Sequence, residues 1–112
     1  KAGVPLMAGS DSPEWFLVPG FSIHDEISMF AEAGLSPFAA LQTATVNTAR
    51  YLGMNKGSVE KGKQADLVLL EKNPLEDIRN TRSVRGVMKD GKWYNGNDIN
   101  EMLEKAKEVL GK

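Results

Sequence analysis

The hydrophobic pattern changes character three times along the chain. Residues 4–8 are apolar throughout, and Gly9, Ser10, Asp11, Ser12 and Pro13 follow them. A short continuous apolar run bounded by turn residues suits a strand buried on both faces, as in a parallel sheet. Pro5 belongs near its start, where a missing N–H is tolerated. Ser12-Pro13-Glu14 reads as the start of a helix, with Ser12 as cap and Pro13 at the first helical position. Residues 15–18 form one turn before Pro19-Gly20 breaks it.

Helical spacing then takes over. Ile23, Ile27, Phe30 and Ala31 fall at i, i+4, i+7 and i+8, which predicts a helix over 21–34 with one buried face. Ser22 is the expected cap, Asp25 its capping-box carboxylate, and Gly34 the terminator. Ser36-Pro37 opens a second helix by the same logic, with Phe38, Leu41, Ala44 and Thr45 toward the core. Asn47 is the expected cap of a short third piece over 48–52, closed by Gly53.

From Gly57 the runs become strand-like. Ser58-Val59 and residues 65–70 are separated by the turn Glu60-Lys61-Gly62-Lys63. Residues 66–70 are nearly all apolar, which predicts cover on both faces. Residues 84–89 and 92–94 flank Asp90-Gly91, a strong hairpin signal. The last segment returns to helical spacing: Ile99, Met102, Leu103, Ala106, Val109 and Leu110 make one stripe. Asp98 and Glu101 are its expected capping box, and Gly111 its end. The order is strand, two to three helices, three or more strands, helix. The shift at 53–57 marks a domain boundary.

Composition narrows the function. The 112 residues carry 14 Lys plus Arg against 15 Asp plus Glu, a formal charge of −1. That leaves no electrostatic footprint for nucleic acid or an anionic membrane. No run approaches the roughly 20 apolar residues of a membrane span. The absence of cysteine excludes disulfides, thiolate metal sites and cysteine nucleophiles, and fits a cytoplasmic, reducing location. One histidine excludes a multi-histidine metal site made by this chain alone. The length excludes a complete (β/α)8 barrel, which takes about 250 residues. The start Lys1-Ala2-Gly3-Val4-Pro5 has neither Met nor a signal run, as if the chain were entered in the middle of an element.

Few residues suggest chemistry. Asp11 follows the C-terminal end of the expected buried strand, where α/β proteins collect catalytic groups; position alone favours a turn residue capping the next helix. His24 is either a substrate contact or proton relay, or a surface histidine on a polar helix face. Asp25, Glu26 and Glu32 are explained in part by the preference of acids for helix N-termini. Trp15, Phe16 and Phe21 line a pocket mouth or pack in a core. Ser10 and Ser12 lack a nucleophile elbow, and no glycine-rich phosphate loop is present.

Two longer stretches go further. Residues 33–53, AGLSPFAALQTATVNTARYLG, and 57–70, GSVEKGKQADLVLL, closely resemble the metal-dependent amidohydrolase superfamily. Asn73-Pro74-Leu75, the stretch from Ile78 and residues 87–91 continue the pattern. The chain is most similar to imidazolonepropionase-like and Xaa-Pro dipeptidase-like members. The resemblance implies an α+β chain cut from a larger fold. Residues 1–55 would be the last strand and helices of a (β/α)8 barrel. Residues 56–96 would be the C-terminal part of a composite β-sandwich, and 97–112 an amphipathic helix.

Asp11 matches the aspartate that such enzymes carry after the eighth strand. In the complete parent it would ligate a divalent metal, zinc above all, and move a proton between the attacking water and the departing amine. His24 would lie near the barrel mouth as a substrate contact. The family's other ligands, a His-x-His pair and further histidines, have no counterpart here, so no metal is expected in this chain alone. The expected function is therefore a piece of a hydrolase of C–N bonds, acting on a small amide or dipeptide, inactive without the N-terminal part of its barrel. The alternative is a non-catalytic module that self-associates as a homo-oligomer through its exposed barrel surface.

Overall fold

The computed structural model describes residues 3–12 and 17–111. The expected helix start at Ser12-Pro13-Glu14, and Trp15 and Phe16, lie wholly or partly outside those residues.

Three helices follow the patterned stretch: α1 (Ser22–Glu32), α2 (Pro37–Thr43) and α3 (Val46–Tyr51). Their core is small. Ile27 of α1, Ala40 of α2 and Ile78 are buried together, with Ile23, Phe30, Ala31 and Leu41 packed around them. Ala40 is fully buried in this cluster, and burying Ile27 is worth about 1.5–3 kcal/mol. The caps differ from the pattern. Ser36 caps α2 as expected, accepting from the Ala39 N–H at 3.2 Å. Ser22 does not cap α1; it is the first helical residue, buried, and its hydroxyl donates to the Val18 carbonyl at 2.9 Å. Asn47 lies inside α3, and Thr45 holds the N-cap position. Phe38 is 60% exposed, so α2 turns Ala40 and Thr43 inward instead.

The strand expected over residues 4–8 is not formed. Val4 is 70% exposed, and the segment has no ladder partner among the described residues. A parallel strand exists only between neighbours, and the described residues bring none to it. The segment is instead tied to the helices. The Ala8 N–H donates to the Thr43 carbonyl at 3.0 Å, and the Asn47 amide donates to the Leu6 carbonyl at 2.9 Å.

The second half is a three-stranded antiparallel sheet in the order β1 (Leu67–Leu70), β2 (Val84–Lys89), β3 (Lys92–Asn95). A 3-10 helix, Ile78–Arg82, precedes β2 and carries Ile78 into the helical core. The hairpin forms as predicted. Asp90 and Gly91 take φ of +51° and +79°, the pair a tight turn between right-twisted strands requires. Ser58-Val59 forms no strand, and Val59 is 85% exposed. The two-sided cover expected for 66–70 is absent: Val68 and Leu69 are 57% and 52% exposed, because β1 is an edge strand with no second layer over it among the described residues.

The terminal helix α4 (Gly96–Leu110) is capped three residues earlier than expected. Asn95 accepts from the Asp98 N–H, and Asp98 accepts from the Asn95 N–H at 2.8 Å, so Asn95 and Asp98 form the box rather than Asp98 and Glu101. Its apolar stripe is largely uncovered, with Met102 50% and Val109 75% exposed.

Candidate active site

Asp11 is the residue on which the sequence places most weight. It is exposed and takes φ of +52°, a left-handed backbone conformation. For an L-residue that conformation costs roughly 1–2 kcal/mol, and Asp and Asn are the side chains that tolerate it best. The segment leading to it is fixed from three sides. Asn47 of α3 holds Leu6 and the end of α2 holds Ala8. The Gly9 N–H donates to the Glu26 carboxylate of α1 at 3.3 Å, and the Ser12 and Ser22 hydroxyls meet at 3.3 Å. Asp11 therefore stands between two tethers to one helix.

His24 is placed elsewhere on α1. Its Nδ1 lies 3.1 Å from the Thr81 hydroxyl, and Thr81 is buried in the 3-10 helix. Arg82 pairs with Asp25 beside it. Burial first, and the Arg82 charge second, push the His24 imidazole below its ordinary pKa, while Asp25 pulls the other way. His24 thus joins the helical half to the 3-10 helix.

The metal-binding capacity of the residues is limited. No group of three or more His, Cys, Asp or Glu side chains that could hold a metal occurs among the described residues. A catalytic zinc takes three protein ligands and a water. Asp11 offers one carboxylate, so the residues present do not make a complete metal centre.

The sequence pattern missed Ser22 and Glu26 as parts of this site. Their i, i+4 spacing was the available signal, a polar pair beside the apolar Ile23–Ile27 face. An open cleft of about 430 Å³ lies on the sheet, lined in part by Val59, Val68, Leu69 and Trp93.

Comparison with known proteins identifies the setting. The family model for the amidohydrolase family matches residues 1–94. The chain belongs to the amidohydrolase family. Ochratoxinase from Aspergillus niger is 33% identical over 114 aligned residues, covering 96% of this chain and 23% of the relative. Adenine deaminase from Ligilactobacillus salivarius is 34% identical over 74 residues, covering 65% of this chain and 12% of that enzyme. This amidohydrolase chain thus spans about a quarter or less of the length of such curated relatives.

Solved structures agree. A protein from Bifidobacterium longum described as a prolidase superposes with a TM-score of 0.73 at 34% identity, over 93% of this chain and 28% of that one. A Xaa-Pro dipeptidase with bound methionine gives 0.63 at 39% identity, over 67% of this chain and 19% of that one. The expected likeness to Xaa-Pro dipeptidases is thereby met, and the chain is an α+β segment of the amidohydrolase fold. No helix among the described residues is long and apolar enough to cross a membrane.

Proposed function

We propose that this chain supplies the C-terminal end of a metal-dependent hydrolase of amide or peptide C–N bonds, with Asp11 as its catalytic carboxylate. The observation that carries the reading is the conformation of Asp11: an exposed carboxylate held at φ +52° on a segment tied to three helices. Backbone held in a sparsely populated region is a recurrent feature of functional sites. In this reading residues 1–55 complete a (β/α)8 barrel, 56–96 are its share of a β-sandwich, and 97–112 are the terminal helix. The family match over 1–94 and the superposition on the B. longum protein support the family membership from which that division is drawn.

In this reading Asp11 would hold a divalent metal, zinc, through a carboxylate oxygen, together with ligands supplied by the N-terminal part of the barrel; when bound, the metal would supply Lewis-acid polarisation of the scissile carbonyl and a more acidic water. Asp11 accepts the proton of the attacking water and returns it to the departing amine. His24 takes a substrate-facing role only if its ring is released from Thr81. A dipeptide or small cyclic amide is the substrate class, and the cytoplasm the setting.

The test joins this chain to a segment supplying barrel strands one to seven of a related amidohydrolase and assays dipeptides and aryl amides with zinc. The chain alone is expected to be inactive and the assembly active. Asp11→Asn, which keeps the left-handed backbone, should lower turnover about 10²–10⁴-fold. Undiminished turnover in that variant removes Asp11 from the mechanism. Turnover by the chain alone with stoichiometric zinc overturns its dependence on the missing barrel.

A second reading, self-association without catalysis, is favoured by the uncovered apolar faces of β1 and α4. Light scattering decides it: a monomer at high concentration ends that reading.

A further inference from the structure

The residues on either side of Asp11 are tied to the same helix, one by its backbone N–H and one by its side chain. Gly9, two residues before it, donates its N–H to the Glu26 carboxylate at 3.3 Å. Ser12, one residue after it, meets the hydroxyl of Ser22 at 3.3 Å. Ser22 is buried and is itself fixed by donating to the Val18 carbonyl at 2.9 Å. Ser22 and Glu26 are one helical turn apart, so both grips come from one face of α1. Between them Asp11 sits at φ +52°, a conformation that an unrestrained chain seldom populates. The core contact of Ile27 keeps α1, and therefore both grips, at a fixed distance from the Asp11 segment.

The acidic start of α1 has an ordinary explanation in the helix dipole. That explanation accounts for Asp25 and Glu26 equally, and the structure separates them. Asp25 pairs with Arg82, away from the segment, whereas Glu26 reaches the Gly9 amide.

We propose that Glu26 is a positioning residue for Asp11. By accepting the Gly9 N–H it closes, together with the Ser12–Ser22 contact, a two-point clamp that keeps the Asp11 carboxylate aimed for proton transfer. Its catalytic consequence rests on the reading of Asp11 as the proton-transferring carboxylate. The clamp itself does not. Glu26 acts through the backbone and touches no reacting atom. A displacement of about 1 Å in a catalytic group can cost up to ~10²-fold in rate, and that sets the scale of the effect.

The experiment has two arms. In the isolated 112-residue chain, amide spectra follow Gly9 and Asp11 directly. Glu26→Ala is expected to move the Gly9 amide proton upfield and shift the backbone signals of Asp11. Glu26→Gln, which keeps an acceptor oxygen, should leave them near their original positions. Unmoved Gly9 and Asp11 signals in Glu26→Ala overturn the clamp.

In the assembled enzyme, Glu26→Ala is expected to lower kcat about 10- to 100-fold with KM changed less than about twofold, and Glu26→Gln to recover most of the loss. A purely structural role would lower both variants in step with the fraction folded, and that result overturns positioning. Should Asp11→Asn retain turnover, the catalytic half of the proposal falls with the proposed function while the spectra still decide the clamp. Should Asp11→Asn be inactive and Glu26→Ala fully active, the proposed function stands and the positioning role is refuted.

Discussion

The helical half and the sheet half solve the problem of a small core differently. The helices close around Ile27 and the fully buried Ala40, and borrow Ile78 from the 3-10 helix. The sheet has one buried residue on its strands, Gly86, and leaves Val68, Leu69 and Trp93 largely open. Order in the sheet comes from the Asp90-Gly91 turn, from register, and from a charge cluster around Asp66. The molecule is elongated: its radius of gyration is 15.1 Å, against about 13 Å for a compact domain near this size. The difference teaches where rigidity is spent. The closed half is the one that grips the Asp11 segment, and the open half carries apolar surface fit to be covered by more protein.

Breaking the closed half should have the largest effect. Ile27→Ala removes the side chain at the meeting of α1, α2 and the 3-10 helix. A destabilisation of about 2–4 kcal/mol is expected in chemical denaturation. Because α1 carries Ser22 and Glu26, the Gly9 and Asp11 amide signals should broaden with it. A loss below 0.5 kcal/mol would mean that the helices are not the rigid half.

The open half should break less severely and more locally. A Cβ on Gly86 would collide with the Trp93 ring and lie 3.1 Å from the Tyr94 carbonyl. Trp93 is 44% exposed, so Gly86→Ala can push the ring outward at a cost of about 1–3 kcal/mol. Indole fluorescence should shift to the red while the α1 signals stay in place. Between these effects and those of pH stands the α2 cap: Ser36→Ala should cost about 1 kcal/mol by leaving the Ala39 N–H without its acceptor.

The contrast also explains what could be read from the residues. The hairpin was legible because Asp90-Gly91 specifies its own turn; α1 and α4 were legible from local period, and α2 from its Ser36-Pro37 cap. Residues 4–8 were misread because an apolar run does not say which strand would pair with it, and the described residues offer it no ladder partner. The same holds for β1, whose apolar residues predicted a cover that these residues do not provide. Asp11 was singled out by position after an expected strand, yet its left-handed backbone was invisible in sequence. Glu26 was hidden by a sufficient local explanation, the helix dipole. His24 paired with Thr81 across 57 positions, a contact no local pattern carries.

Acid should separate the two halves with the smallest effect. His24 has its pKa pushed below the ordinary 6.5, mainly by burial. The unfolded chain then takes up the proton more readily than the folded one. Its contribution is present above pH 6.5 and lost as pH falls through the lowered folded value. Asp66 is drawn down to about 2, first by the Asp90 N–H and then by the Lys56 ammonium. Its contribution is full above the unfolded value near 3.8 and fades as pH falls toward 2, and Asp90 in the same turn is also held below the usual carboxylate range, mainly by Lys89. Melting followed against pH should therefore fall in two steps. His24→Gln should erase the step that begins near 6.5, and Asp66→Asn should shrink the one below 4. The first step belongs to the contact between α1 and the 3-10 helix, and the second to the turn that orders the sheet. A single step abolished by either variant would show that the halves melt as one unit and that the contrast between them is not energetic.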